Sequence, residues 1–286
     1  MAISAQDVRV LREKTGTGIM DCKKALTDTN GDLENAIKFL REKGLADSKK
    51  RSGREAREGI ITIVYSGGRD TASMVEVNCE TDFVSRTDQY QDFVRNITQI
   101  ILDKGAEDAK NLPEDVNNMV KEAIATFGEN ITVRKVARFN KIDMNRSVFH
   151  SYIHLGGKVG VIVEFLLDND GSIDNEHFQQ FAKNTALQIA SMGPFGVLRD
   201  DFPKEVVDEQ REIFIKQAKE SGKPEKIIEK IITGKMAKFF AETSLLEQKY
   251  VKNNDITVGQ YLKETEKTID GKIEIKRFVR FKLGEE

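Results

Sequence analysis

The side chains that could do chemistry in this sequence are few, and they do not form a catalytic set. Glu80 and Asp82 lie two residues apart, but such pairs are common by chance in a chain with 47 acidic residues. His150 and His154 have a metal-ligand spacing only on a helix, whereas their stretch is predicted to be a strand. No third ligand is apparent, and no serine lies in a nucleophile-elbow glycine pattern. We therefore expect no metal, no cofactor and no enzymatic activity.

A glycine-rich loop near the N-terminus invites comparison with a phosphate-binding loop. Residues 15–18 read TGTG, and Lys23 and Lys24 follow. A phosphate loop needs two glycines that bracket four residues, followed by Lys and then Ser or Thr. This loop lacks that order, and no Gly-Lys pair of the chain precedes Ser or Thr. The glycines are expected to reverse the chain between helices instead.

Residues 78–88 place an aromatic ring beside a carboxylate between two predicted elements. An apolar strand ending near Val77 precedes them, and an amphipathic helix comes after them. Phe83 and Val84 fall in the intervening turn, where core packing alone does not require a bulky apolar pair. Asp82 with Phe83 could therefore act as a wedge against another protein. The alternative is that Phe83 is the first core residue of the helix.

Length and charge limit the class of protein. At 286 residues the chain is long enough for about two domains. A net charge of −2 does not favour a nucleic-acid binder. Cys22 and Cys79 lack a partner motif and are expected to be free thiols in a reducing cytoplasm. No signal peptide and no apolar stretch of roughly 20 residues is apparent, so we expect a cytoplasmic protein without a membrane partner.

The first part of the chain predicts three short helices and then a basic linker. Ser4 and Asp7 have the spacing of a helix cap, and apolar residues recur at helical spacing through three segments. Gly44 is expected to end the third helix in a left-handed conformation. These helices define a predicted bundle at residues 1–46. The polar segment 47–58, rich in Lys and Arg, is predicted to be an exposed linker or a solvated helix end between domains.

From residue 59 onward the sequence repeats an α+β pattern. A strand-like hairpin turns at Gly67-Gly68, and a second one turns at Gly156-Gly157. Each hairpin precedes an amphipathic helix, and each unit closes with a similar strand, at 131–139 and at 273–281. The class predicted is α+β with two related antiparallel subdomains. The ranges of these core subdomains are 59–143 for the first, and 144–196 with 242–286 for the second.

The second repeat is interrupted by an insert, predicted at residues 197–241. Pro203 begins one amphipathic helix, and Ser221-Gly222-Lys223-Pro224 is a stop-and-restart pattern before another. Two antiparallel helices joined by a tight turn are therefore expected. Their apolar seam either closes on itself or forms a homodimer.

Two long motifs resemble signatures of the bacterial elongation factor Ts family. Residues 11–26 read LREKTGTGIMDCKKAL, and residues 77–84 read VNCETDFV. The similarity extends over nearly the whole chain. Thr17 stands where the family usually has alanine. Some members continue beyond Leu283 with a helix that contacts the partner, and that contact is expected to be absent or replaced here.

The resemblance implies a nucleotide exchange factor for the GTPase elongation factor Tu. It implies that the N-terminal bundle resembles a ubiquitin-associated domain and docks on the nucleotide-binding domain of the GTPase. Asp82 and Phe83 match the pair that disturbs the magnesium ion beside GDP, and the second subdomain would grip another domain. The implied partner-binding residues are Arg12, Ile19, Met20, Lys23, Thr81, Asp82, Phe83, Val84, His154 and Val251. For Met20 the alternative is burial inside the bundle.

A second hypothesis comes from the basic segments. The linker at 47–58 and the strands at 134–138 and 276–280 are rich in Lys and Arg, and they could bind RNA or the ribosome. The linker has no aromatic residue on which a base could stack, so an exposed linker is favoured over an RNA site.

Overall fold

A computed structural model describes residues 3–51, 53–168, 173–220 and 224–285. Their contacts form two compact units. The first takes in the described residues of Met1–Asn140, Ile153–Gly160 and Phe281–Glu286, and the second those of Lys141–Tyr152 and Val161–Arg280. Within the described residues, no helix is both long and apolar enough to cross a membrane. The finer domain boundaries given by the sequence stay predictions.

The first unit begins with the predicted bundle of three helices. They are α1 (Ala5–Thr15), α2 (Ile19–Asp28) and α3 (Leu33–Arg51). Ser4 caps α1, because its hydroxyl accepts the Asp7 amide while the Asp7 carboxylate accepts the Ser4 amide, both at 3.1 Å. The apolar stripes meet in a small core of Val8, Leu11, Cys22, Ala25, Leu26, Ala36 and Leu40.

The prediction that Gly44 ends the third helix is wrong. The helix α3 continues to Arg51, and Gly44 is buried within it. A Cβ at this position would lie 2.1 Å from the Cβ of Ala125, on helix α6 (Glu114–Phe127). The glycine is therefore needed for the close approach of two helices. Part of the predicted linker is thus helical, up to Arg51, whose Nη1 donates to the Ile124 carbonyl at 3.1 Å.

A three-stranded antiparallel sheet comes next in the same unit. Its order is β1 (Glu58–Tyr65), β2 (Thr71–Cys79) and β3 (Thr132–Asn140), with β2 in the centre. One face of β2 packs with helix α5 (Asp88–Lys104) and α6 through a core that includes Val77, Tyr90, Val94 and Ile97. The short helix α4 (Asp82–Ser85) lies between β2 and α5.

The predicted repeat is confirmed by a second sheet with the same order. It consists of β4 (Ser147–His154), β5 (Val159–Leu167) and β8 (Ile273–Lys282), again with the second strand in the centre. Helix α7 (Glu176–Met192) comes after the hairpin, as α5 does in the first repeat. Phe165 contacts Phe178 and Phe181 edge-on, with ring centroids 5.6 and 6.0 Å apart. The α+β class with two related antiparallel subdomains is therefore confirmed.

The insert contains the two expected helices, α8 (Lys204–Lys219) and α9 (Glu225–Thr243). Pro203 and Pro224 are the N-cap residues directly before the two helices, so Pro224 lies one position ahead of the predicted first turn, whereas Ser221, Gly222 and Lys223 lie outside the described residues. The sequence pattern did not indicate the short hairpin after α9. Its strands are β6 (Lys249–Tyr250) and β7 (Asn253–Thr257), and it precedes helix α10 (Val258–Ile269).

The buried Cys79 thiol makes the folding stability fall as the pH rises through the alkaline range. Burial raises the pKa of this thiol from 9.0 to about 11. The folded state therefore keeps its proton while the unfolded state loses it, so the contribution is complete below pH 9 and declines as the pH rises. We expect urea denaturation to show that the wild type loses about 1–3 kcal/mol of stability relative to Cys79→Ala as the pH rises from 9 to about 11. Parallel pH profiles for the two proteins would contradict this.

Candidate partner interface

Phe83 lies on α4 with its ring in solvent. Its side chain is 82% exposed, while the neighbouring Val84 packs against the core and Ser85 is buried. The core of the next helix begins with Tyr90 instead. The alternative that Phe83 is the first core residue is therefore wrong. A large apolar ring held in water is available for burial against another molecule.

Hydrogen bonds from distant residues fix the turn that carries Phe83. The carboxylate of Glu129 accepts the amides of Glu80 and Thr81, each at 3.0 Å, and the Thr81 hydroxyl at 2.6 Å. Thr81 also caps α4, as the amide of Val84 donates to its hydroxyl at 3.4 Å. Glu129 could not be identified from the sequence, because nothing in its neighbourhood indicates a bond to residues 48 and 49 positions away.

Glu80 and Asp82 have different roles and do not form a carboxylate pair. The carboxylate of Glu80 accepts the amide of Asn130 at 2.6 Å, so it supports the turn. Asp82 forms an ion pair with Arg86 at 2.7 Å, one helical turn further on. Because both members of this pair are partly exposed, the Asp82 carboxylate lies at the surface beside the Phe83 ring.

The predicted bundle residues share an exposed surface. Met20 is 76% exposed and Ile19 is also exposed, so the alternative that Met20 is buried is wrong. Arg12, Ile19 and Lys23 line a cavity of about 1100 Å³ between the bundle and residues Gln89 and Thr126 of the first unit. Apolar Ile19 and cationic Arg12 and Lys23 thus line the same cavity, whereas Met20 is exposed outside it.

His154 and Val251 are placed on hairpins. His154 ends β4 and is half-buried, and its carbonyl accepts the amides of Gly157 and Lys158 at 3.2 and 3.1 Å. Val251 is exposed in the turn between β6 and β7. Its amide donates to the side chain of Gln188 at 2.8 Å.

Gln188 fixes the Val251 turn from within the core of the second unit. It is fully buried on α7, and its amide nitrogen donates to the Gln248 side chain and to the Lys249 carbonyl, both at 3.1 Å. The sequence did not single out this residue, which is 63 positions from Val251. The sequence signal that could have indicated it is a glutamine at a position where the helical periodicity expects an apolar residue.

The basic strands are engaged within their own units. Arg138 donates to the Leu102 carbonyl at 3.2 Å, Arg280 to the Ala190 carbonyl at 3.4 Å, and Arg277 to the Glu164 carboxylate at 2.6 Å. These three side chains already bond to groups of the protein itself, so the RNA hypothesis is not favoured. In the part of the chain that the structure describes, no cluster of three or more His, Cys, Asp or Glu could hold a metal ion.

Comparison with known proteins agrees with the two motifs. A family model described as "Elongation factor TS" matches residues 80–285. Elongation factor Ts of Halothermothrix orenii is 41% identical over 294 residues, covering 100% of this chain and 93% of the relative. The protein of that name from Trichlorobacter lovleyi is 40% identical, with 100% and 94% covered. That of Clostridium novyi is 41% identical, with 99% and 93% covered.

The match covers most of the chain, and the relatives align along almost their full length. The resemblance in residues 11–26 and 77–84 is therefore confirmed. The chain belongs to the elongation factor Ts family.

Proposed function

We propose that this chain promotes release of GDP from the GTPase elongation factor Tu during translation elongation, in the cytoplasm. It acts through contacts and catalyses no covalent reaction. The observation that carries the proposal is the exposed ring of Phe83, held beside Asp82 on a braced turn. The ring would intrude on the GTPase, and the carboxylate would disturb the magnesium ion that helps to hold GDP.

The wedge alone supplies too little free energy. A ten-thousandfold faster release requires a barrier about 5.5 kcal/mol lower, whereas burying one Phe side chain contributes roughly 1.5–3 kcal/mol. The remainder must come from a broad interface. Arg12, Ile19, Met20 and Lys23 supply cationic and apolar groups for the nucleotide-binding domain. Thr81 and Val84 flank the wedge, and His154 and Val251 would contact another domain of the GTPase.

The insert has both buried aromatic contacts and exposed apolar residues. Phe202 contacts Phe239 and Phe240 with ring centroids 5.8 and 5.5 Å apart, so aromatic residues near its base pack with each other. Ile213 and Ile227 are exposed on α8 and α9. A homodimer through this insert stays a prediction.

Binding linkage gives the first test of the mechanism. If the chain weakens GDP binding to the GTPase, GDP must weaken binding of the chain by the same factor. We expect isothermal titration calorimetry to show a tight complex with the nucleotide-free GTPase and a weaker one with its GDP form. Equal affinities for the two forms would exclude the mechanism.

Phe83→Ala should slow GDP release while leaving the fold unchanged. Losing about 1.5–3 kcal/mol of apolar contact corresponds to roughly a ten- to hundredfold slower release. The measurement is fluorescence of labelled GDP leaving the GTPase, with thermal melting as the check of folding. Phe195→Ala is the matched control, because that ring is 54% exposed in the second unit. If both variants lose the same activity, general loss of apolar surface and not the wedge is responsible.

Asp82→Asn tests the charge beside the ring. We expect slower GDP release, since a neutral amide no longer perturbs a divalent cation, whereas Arg86→Ala should cause no loss because it only frees the Asp82 carboxylate. An exposed ion pair of this kind contributes about 0–1 kcal/mol to stability, so both variants should fold. Equal slowing by the two substitutions would mean that the pair matters only for the local structure.

A further inference from the structure

We infer that Glu129 is the positioning residue for Phe83 in nucleotide exchange, a role that rests on the function proposed above. The helix that carries the ring has only four residues, Asp82–Ser85. A helix of that length is not stable by itself in water. The 3.4 Å capping bond to Thr81 is long, so the direction of the ring depends on contacts from outside the turn.

Glu129 provides those contacts with both carboxylate oxygens. Its Oε2 accepts the amides of Glu80 and Thr81, and its Oε1 accepts the Thr81 hydroxyl. Hydrogen bonds to an ionised carboxylate are about twice as strong as those between neutral groups. Three of them therefore hold the two residues that directly precede Asp82 and Phe83.

The residue after Glu129 is also bonded to the turn that precedes Phe83. The carboxylate of Glu80 accepts the amide of Asn130 at 2.6 Å, and the Asn130 side chain donates to the Arg54 carbonyl at 2.5 Å. Glu129 itself comes directly after Gly128, which ends α6 in a left-handed conformation with φ 74°. The turn before Phe83 is thus tied to the end of a helix that packs in the core.

The support of the turn is separable from the sheet. Strand pairing continues beside it through Val77 with Val133 and Asn78 with Thr132. Glu129 makes none of these backbone bonds, so its loss should free the turn without unpairing β2 from β3. The expected consequence is a mobile ring on an intact domain.

A double-mutant cycle on GDP release tests the inference. Glu129→Ala should lower the maximal release rate roughly tenfold, with little change in the half-saturating concentration of the factor. Glu129→Gln should restore part of the rate, because its amide oxygen still accepts a backbone amide. In the Phe83→Ala background, Glu129→Ala should change the rate less than about twofold. Glu107→Ala, at an exposed position in the first unit, is the control and should behave as the wild type.

Amide hydrogen exchange in the free protein gives a second readout. Exchange at Glu80 and Thr81 should become faster in Glu129→Ala, while Val75 in the centre of the sheet stays protected. An unchanged release rate in Glu129→Ala would overturn the inference, as would losses from Glu129→Ala and Phe83→Ala that multiply. Loss of protection at Val75 as well would mean a general structural role. If the wild type itself fails to speed GDP release, the proposed function fails and this inference with it.

Discussion

The fold must keep a phenylalanine ring in water. The hydrophobic effect favours burial of such a ring by roughly 1.5–3 kcal/mol, and the apolar core beneath β2 and α5 begins only a few residues away. What opposes inward collapse of Phe83 is polar. Glu129, Thr81 and Glu80 fix the backbone before the ring by directed hydrogen bonds, which specify geometry as apolar contacts do not. Together with the packing of Val84 against the core, we infer that these bonds keep the ring exposed.

In the second unit, a neutral side chain fixes the position of an exposed apolar residue in a similar way. Gln188 is buried on α7, and it accepts the amide of Val251 while donating to the carbonyl of Lys249 on β6. In each unit a side chain far away in sequence holds an exposed apolar residue in a fixed place. A surface residue that is already ordered loses less conformational entropy on binding. Both sites are therefore suited to contacts that must be rigid when the partner arrives.

The parts of this fold that obey local periodicity could be predicted from the sequence. The three N-terminal helices, the repeated hairpin-helix-strand units and the inserted helices have apolar residues at the spacing of their elements. The error at Gly44 has a physical reason. A glycine permits both a left-handed turn and a close helix contact, and only the position of Ala125, distant in sequence, decides between them.

The β6–β7 hairpin could not be predicted because its strands are short and polar. The candidate interface was predictable only in part, since the motif around Phe83 indicated the proposed wedge but no local pattern contains the bond from Thr81 to a residue 48 positions away.

The rigidity of the turn bears directly on how exchange can work. In the proposed mechanism, the free energy that drives GDP out would come from contacts of the bundle and of the second unit, since the ring alone supplies too little. Those contacts can act on the magnesium site only if the ring keeps its position while the rest of the surface binds. A mobile turn would let Phe83 move aside, so that the GTPase could bind the factor and GDP together with little coupling between them. On this proposal, the bonds to Glu129 would allow binding energy from the rest of the interface to act on the nucleotide.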